Sequence, residues 1–136
     1  MFDTVLIAGL GLMGGSMAKT IKARTLSRVL GWNRTRATAE QALADSSIDA
    51  IATEALYKEA DLVIIGLYPQ ATVDWLLENM PKMKKGCVIV DMVGVKQFMV
   101  DHLEQAALDA GVHYVGGHPM AGREFSGLDY SLPTLF

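Results

Sequence analysis

Short runs of almost wholly apolar residues alternate along this chain with longer stretches that are apolar on one side only. Thr4 to Ala8 is such a run, ended by glycines, and predicts a buried strand. Ser16 to Arg24 predicts a helix with Met17, Ala18 and Ile21 on one side. Arg28 to Asn33 predicts a second strand. Thr35 is placed to cap the next helix, its hydroxyl accepting an N–H of the first turn, and that helix runs to about Asp45. Ile48 to Thr53 fits a short strand or a turn. Asp61 to Leu67 is the clearest strand, β-branched and nearly all apolar. Pro69 suits the first turn of the helix that follows, where a missing N–H costs nothing. Val73, Leu76, Leu77 and Met80 give that helix its predicted apolar stripe. Gly86 to Asp91 predicts a further strand and Lys96 to Ala110 a helix. Gly111 is placed to end that helix in the left-handed conformation. Val112 to Val115 is the last predicted strand and opens into Gly116-Gly117-His118-Pro119.

Strands that alternate with helices require right-handed crossovers, hence a mostly parallel sheet with helices on both faces. The expected fold is therefore α/β, a doubly wound Rossmann-type domain spanning residues 1–136. A chain of 136 residues, 51% hydrophobic and 20% charged, is long enough to bury one core. Its mean hydropathy of +0.25 is high for a small soluble domain. Either the sheet is buried on both faces, or part of the surface packs against something else. The apolar finish Leu132 to Phe136, with no closing element, reads as a truncation.

Charge removes several functional classes. Twelve basic and fifteen acidic residues give a net charge of −3 without any basic run, which argues against nucleic-acid binding. Cys87 stands alone, so an internal disulfide and a cysteine metal cluster are excluded, and a reducing cytoplasm is the expected setting. The apolar run Val5 to Ala18 is broken by Gly9, Gly11, Gly14 and Gly15 and preceded by Asp3, unlike a secretory leader. No stretch is long enough to span a bilayer.

Gly9-Leu10-Gly11-Leu12-Met13-Gly14 matches G-x-G-x-x-G between a predicted strand and a predicted helix. Gly9 would make the tight turn, Gly11 would leave room for a pyrophosphate, and Gly14 would let helix and strand pack closely. The helix N-terminus would then receive the phosphates. A rival reading is a glycine-rich turn with another ligand. In an NAD-selective domain an acid stands at the end of the second strand, roughly 20 residues beyond the loop. Here that place reads Asn33-Arg34-Thr35-Arg36, with no acid. Arg34 offers a forked cation to a 2′-phosphate, and Asn33 and Thr35 can add hydrogen bonds, so NADP is favoured over NAD. The alternative is that Arg34 and Arg36 are solvated loop charges. Trp32 fits packing or an adenine contact. Tyr68, after the third clear strand, fits either a place beside the cofactor or the surface.

Two further segments fall at strand ends, where open α/β sheets bind ligands. One is Asp91-Met-Val-Gly94-Val-Lys96; the other runs from Gly116 through His118 and Gly122-Arg123-Glu124 to Ser126-Gly127. With the loop from Gly9 to Ser16, the sequence Gly-Gly-His-Pro-Met-Ala-Gly, followed by Glu124 and Ser126-Gly127, resembles the prephenate and arogenate dehydrogenases. The resemblance covers nearly the whole chain but only the nucleotide-binding half of that family's protein. The family's helical C-terminal domain, which forms the homodimer and part of the substrate site, is not represented.

The resemblance implies oxidative decarboxylation of prephenate to 4-hydroxyphenylpyruvate, a tyrosine precursor. It implies His118 as the group that takes the proton of the 4-hydroxyl. His102, inside a predicted helix, and His113, inside a strand, carry no such implication. The family often has serine in Asp-x-Gly-Ser-x-Lys; this chain has Gly94 there and Val93 before it. A water, a backbone N–H or Ser126 would have to replace that hydroxyl. Lys96 fits a strand-end cation or merely the start of a helix. Glu124 fits a pocket gate, a contact to another domain or a solvated charge. Arg123 is the local candidate for a substrate carboxylate. Two other functions stay open. A β-hydroxyacid dehydrogenase would share the fold and the Asn-Arg-Thr segment, but not Gly-Gly-His-Pro-Met-Ala-Gly. A non-catalytic nucleotide-binding module would need no substrate clamp.

Overall fold

A computed structural model describes residues 2–92 and 96–116, the side chain of Lys96 excepted. Among these residues six parallel strands form one sheet: β1 Thr4–Ala8, β2 Arg28–Trp32, β3 Ala50–Ile51, β4 Leu62–Ile65, β5 Val88–Asp91 and β6 His113–Gly116. Their order is β3-β2-β1-β4-β5-β6. The helices are α1 Leu12–Arg24, α2 Arg36–Ala44, α3 Glu54–Tyr57, α4 Pro69–Asn79, with a 3-10 turn at Met80–Lys82, and α5 Lys96–Ala110. This is the doubly wound Rossmann arrangement expected from the alternation of periods.

The period of two along β1 divides the core. Leu6 and Ala8 join Leu30, Val63, Ile65 and Ile89 on one face, under α3, α4 and α5. Val5 and Ile7 join Val29, Ile64, Ala18, Ala39 and Ala42 on the other, under α1 and α2. The face of β5 opposite Ile89 carries half-buried Val88 and Val90, and Val115 on β6 is 49% exposed.

Several expectations are corrected. Helix α1 begins at Leu12 rather than Ser16, because glycines at its first turn are compatible with helix once packing holds them. Helix α3 was not anticipated; it is four residues long, too short for a periodic signal. In α4 the buried positions are Thr72, Val73, Trp75, Leu76 and Asn79, followed by Met80, while Leu77 is 46% exposed and lies off the stripe. Thr35 is the residue before α2, as expected, but its hydroxyl makes no capping bond; its carbonyl accepts the Thr38 N–H at 3.1 Å instead. Gly111 has φ +73, the left-handed turn expected of it.

Candidate coenzyme site

Strands β1 and β4 are neighbours, yet the chain leaves β1 toward β2 and leaves β4 toward β5 on the other side. Their carboxyl ends therefore flank the switch point where open α/β sheets form a crevice. Three glycines from three elements meet there. Gly9 has φ +95, and a Cβ on it would lie 2.6 Å from the Gly66 carbonyl oxygen. A Cβ on Gly14 would lie 1.7 Å from the Gly9 oxygen, and one on Gly66 3.1 Å from the Gly14 nitrogen. The first turn of α1 thus rests directly on backbone. The Gly66 N–H donates to Ala8 O at 2.7 Å, and the Gly9 N–H to Trp32 O at 2.8 Å.

Gly66 escaped the sequence reading. The signal was present: a glycine directly after the β-branched run of β4 marks close backbone approach.

Gly11 differs from these three. Apart from its chain neighbours, no atom of the described residues lies within 4 Å of where its Cβ would stand. It is the cap residue of α1, and no side chain caps that helix end or places a carboxylate in its first turn. The amides of Leu12, Met13 and Gly14 precede any intrahelical acceptor and carry the positive end of the helix dipole. Leu12 and Met13 are half-buried. The arrangement is an open cradle of N–H donors with the fit of a diphosphate.

At the end of β2 the carboxamide of Asn33 serves the loop itself. Its Oδ1 accepts the Leu10 N–H at 2.9 Å and its Nδ2 donates to Thr35 O at 3.0 Å. Arg34 and Thr35 are exposed. Arg36 pairs with Glu40 at 3.3 Å, whereas Arg34 has no ion-pair partner among the described residues. Trp32 packs at 5.6 Å on Trp75, which stacks at 5.6 Å on Tyr57, so the indole belongs to the core beneath α4. Tyr68 precedes α4 at the carboxyl end of β4, 86% exposed, while Thr72 Oγ1 donates to Leu67 O at 3.1 Å and closes the turn.

The second segment begins at Asp91, which is fully buried at the end of β5 and accepts the Tyr114 hydroxyl from β6. Burial and that carboxylate both push the Tyr114 phenol well above its ordinary value. Lys96 opens α5. Gly94, His118, Arg123, Glu124 and Ser126 lie outside the described residues. His102 Nδ1 meets Phe98 O at 2.7 Å with its ring 4.4 Å from that phenyl, and His113 starts β6, at the amino ends of the strands. A hollow of about 540 Å³ between Lys22, Leu26, Arg28 and Asp49 lies at the amino ends of β2 and β3, away from the cradle.

The profile described as "Prephenate dehydrogenase, nucleotide-binding domain" matches residues 17–136. The chain belongs to that family. The match begins just beyond the glycine loop, so loop geometry and family membership are separate observations. The prephenate dehydrogenase of Bacillus subtilis (strain 168) is 37% identical over 140 residues, covering 100% of this chain and 38% of that protein. A prephenate dehydrogenase from A. aeolicus, solved with hydroxyphenyl propionate and NAD+, superposes with a TM-score of 0.86 at 26% identity, over 99% of this chain and 48% of that one. Synechocystis arogenate dehydrogenase gives a TM-score of 0.82 at 25% identity, over 94% and 45%. The chain therefore spans less than half the length of these relatives. Among its described residues no helix is long and apolar enough to cross a membrane.

Proposed function

We propose that this domain binds NADP and forms the coenzyme half of a prephenate dehydrogenase. The observation that carries the reading is the open amide cradle at the N-terminus of α1, at the switch point, in a chain of this family. The amides of Leu12, Met13 and Gly14 hold the diphosphate, with Gly11 leaving it room. Arg34 takes the 2′-phosphate by paired N–H donors. Asn33 shapes that turn through Leu10 and Thr35, and Thr35 can add its hydroxyl. Tyr68 borders the crevice from β4.

When bound, the nicotinamide supplies a hydride acceptor. His118 accepts the proton of the substrate's 4-hydroxyl as hydride leaves C4; carbon dioxide leaves C1, its bonding electrons complete the aromatic ring, and the ring oxygen takes the proton back. A neutral imidazole suits this at neutral pH. Arg123 pairs with a substrate carboxylate, and Lys96, Glu124, Ser126 and the backbone at Gly94 frame the ring. The remaining substrate contacts and a homodimer interface belong to the full-length protein, in the cytoplasm.

Thermal shift at equal concentrations of NADP and NAD tests the coenzyme, since a ligand of the folded state raises its stability. Greater stabilisation by NAD refutes the role given to Arg34. Turnover of prephenate and of arogenate by the full-length protein, with and without His118→Asn, tests the reaction. Undiminished turnover removes His118 from it.

A further inference from the structure

Strand β6 is the edge of the sheet among the described residues, four residues long, with β5 as its neighbour. A short edge strand is held by one ladder only and is the part of a sheet most easily shifted. Its C-terminal end nevertheless leads directly into Gly117 and His118. Register places Tyr114 opposite Ile89 and Gly116 opposite Asp91. Tyr114 therefore reaches Asp91 diagonally, on the face covered by α5, within range of a long aromatic side chain. The bond joins two places that matter. Asp91 ends β5 immediately before the Gly94–Lys96 segment, and Tyr114 stands just before the His118 segment.

A carboxylate with no exposed surface is a costly way to build a strand end. Apolar residues of similar size would serve packing alone at least as well. A directional, charge-assisted bond instead fixes one strand end relative to the other. Beside Tyr114 a small recess of about 170 Å³ is lined by Val100, Glu104 and Gly116, so the ring is not wedged on every side. The hydroxyl bond adds a side-chain tie between β5 and β6 to the backbone ladder.

We propose that Asp91 and Tyr114 are a positioning pair for His118: their bond holds the carboxyl end of β6, from which the chain runs on to His118, against the carboxyl end of β5. This rests on His118 being the proton acceptor proposed above.

The test is a double-mutant cycle in the full-length protein with prephenate and NADP. Tyr114→Phe keeps the ring and deletes the hydroxyl. It should lower kcat about tenfold, the scale of a small misplacement of a catalytic group, and leave the NADP dissociation constant unchanged. His118→Asn should lower kcat by about a hundredfold or more. The double variant should be no slower than His118→Asn alone, because a misplaced base that is already absent costs nothing further. A merely structural pair would change thermal stability and coenzyme binding without this non-additivity. Wild-type kcat in Tyr114→Phe, with His118→Asn inactive, overturns the pair and leaves the base assigned. Additive losses overturn the pair as well. An active His118→Asn overturns the base assignment and the pair with it. If Tyr114→Phe shows no coenzyme-induced thermal shift, the cycle is run with Asp91→Asn, which keeps the volume and weakens the bond, under the same criteria.

Discussion

Gly11 and Gly14 are both glycines of one motif, but replacing each with alanine should have opposite consequences. At Gly14 the new methyl would stand 1.7 Å from the Gly9 carbonyl oxygen, with Ile7 Cγ2 at 3.3 Å. Contact between carbon and oxygen needs more than 3 Å, so the first turn of α1 must lift off β1 by well over an ångström. Gly9 cannot yield easily, because its φ of +95 and its own closeness to Gly66 pin it. Overpacking of this kind costs about 1–3 kcal/mol and occasionally more. With the backbone as the obstacle, a loss of about 3 kcal/mol is expected. For a domain of this size that lowers Tm by roughly 10 °C. At Gly11 the methyl meets nothing within 4 Å, and φ is −76. Stability without coenzyme should stay within about 0.5 kcal/mol of the parent. The methyl would instead occupy the space in which the diphosphate approaches the backbone, so the NADP-induced shift should disappear. At a coenzyme concentration about 100 times Kd, that shift is worth about 2.7 kcal/mol. Thermal melts of both variants with and without NADP give all four values. A Gly14→Ala protein melting like the parent, or a Gly11→Ala protein stabilised fully by NADP, would refute the division of labour.

Other expectations follow from single side chains. Arg34→Ser should weaken NADP about tenfold or more and leave NAD almost unchanged, read by titration of each coenzyme; equal effects on both would remove the 2′-phosphate contact. Asp61 bonds to Lys84 and accepts the N–H groups of Thr4 and Asp3 at 3.0 Å, tying the starts of β1 and β4 together. The Lys84 ammonium first, then the Thr4 amide, hold its carboxyl below the ordinary value of 3.8. A depressed folded-state pKa stabilises above the unfolded value and loses that contribution as pH falls through the folded one. The acid limb of the parent's melting curve should therefore be steeper below about pH 4 than that of Asp61→Asn. Identical limbs would show that the carboxylate contributes nothing. Burial pushes the Cys87 thiol up to about 11 and leaves it no exposed surface. A disulfide reagent at pH 8 should label it only at the rate of unfolding, and rapid labelling of folded protein would contradict its place in the core.

How far the sequence spoke depended on how local each signal was. Strand β1 and helix α5 came out with their bounds intact, because a five-residue apolar run and a fifteen-residue period are strong patterns. The position of Thr35 before α2 was readable from residue type, but whether its hydroxyl would bond was not, since that depends on a rotamer. Leu77 shows the limit of periodicity: Trp75 and Tyr57 claim the buried side of α4 through a tilted aromatic stack, which turns Leu77 outward. In the site, the glycine loop was readable as a motif. Gly66 and the Asp91–Tyr114 bond were not, because each joins elements distant in sequence through contacts that only the sheet order creates.

Asn33 carries the last step of the argument. Where an acid would read a ribose hydroxyl, this chain has a carboxamide whose oxygen holds the Leu10 N–H and whose nitrogen holds Thr35 O. Asparagine is suited to that double bond because it offers an acceptor and a donor at once, whereas aspartate at neutral pH can only accept. An aspartate there would keep Leu10 but face the Thr35 carbonyl with a second oxygen, loosening the turn that presents Arg34. The side chain that ties the glycine loop to β2 is thus also the one that frames the exposed arginine. On the proposed coenzyme reading, preference belongs to the Asn33–Thr35 turn as a unit, and changing one of its residues to alter it should cost loop geometry as well as charge.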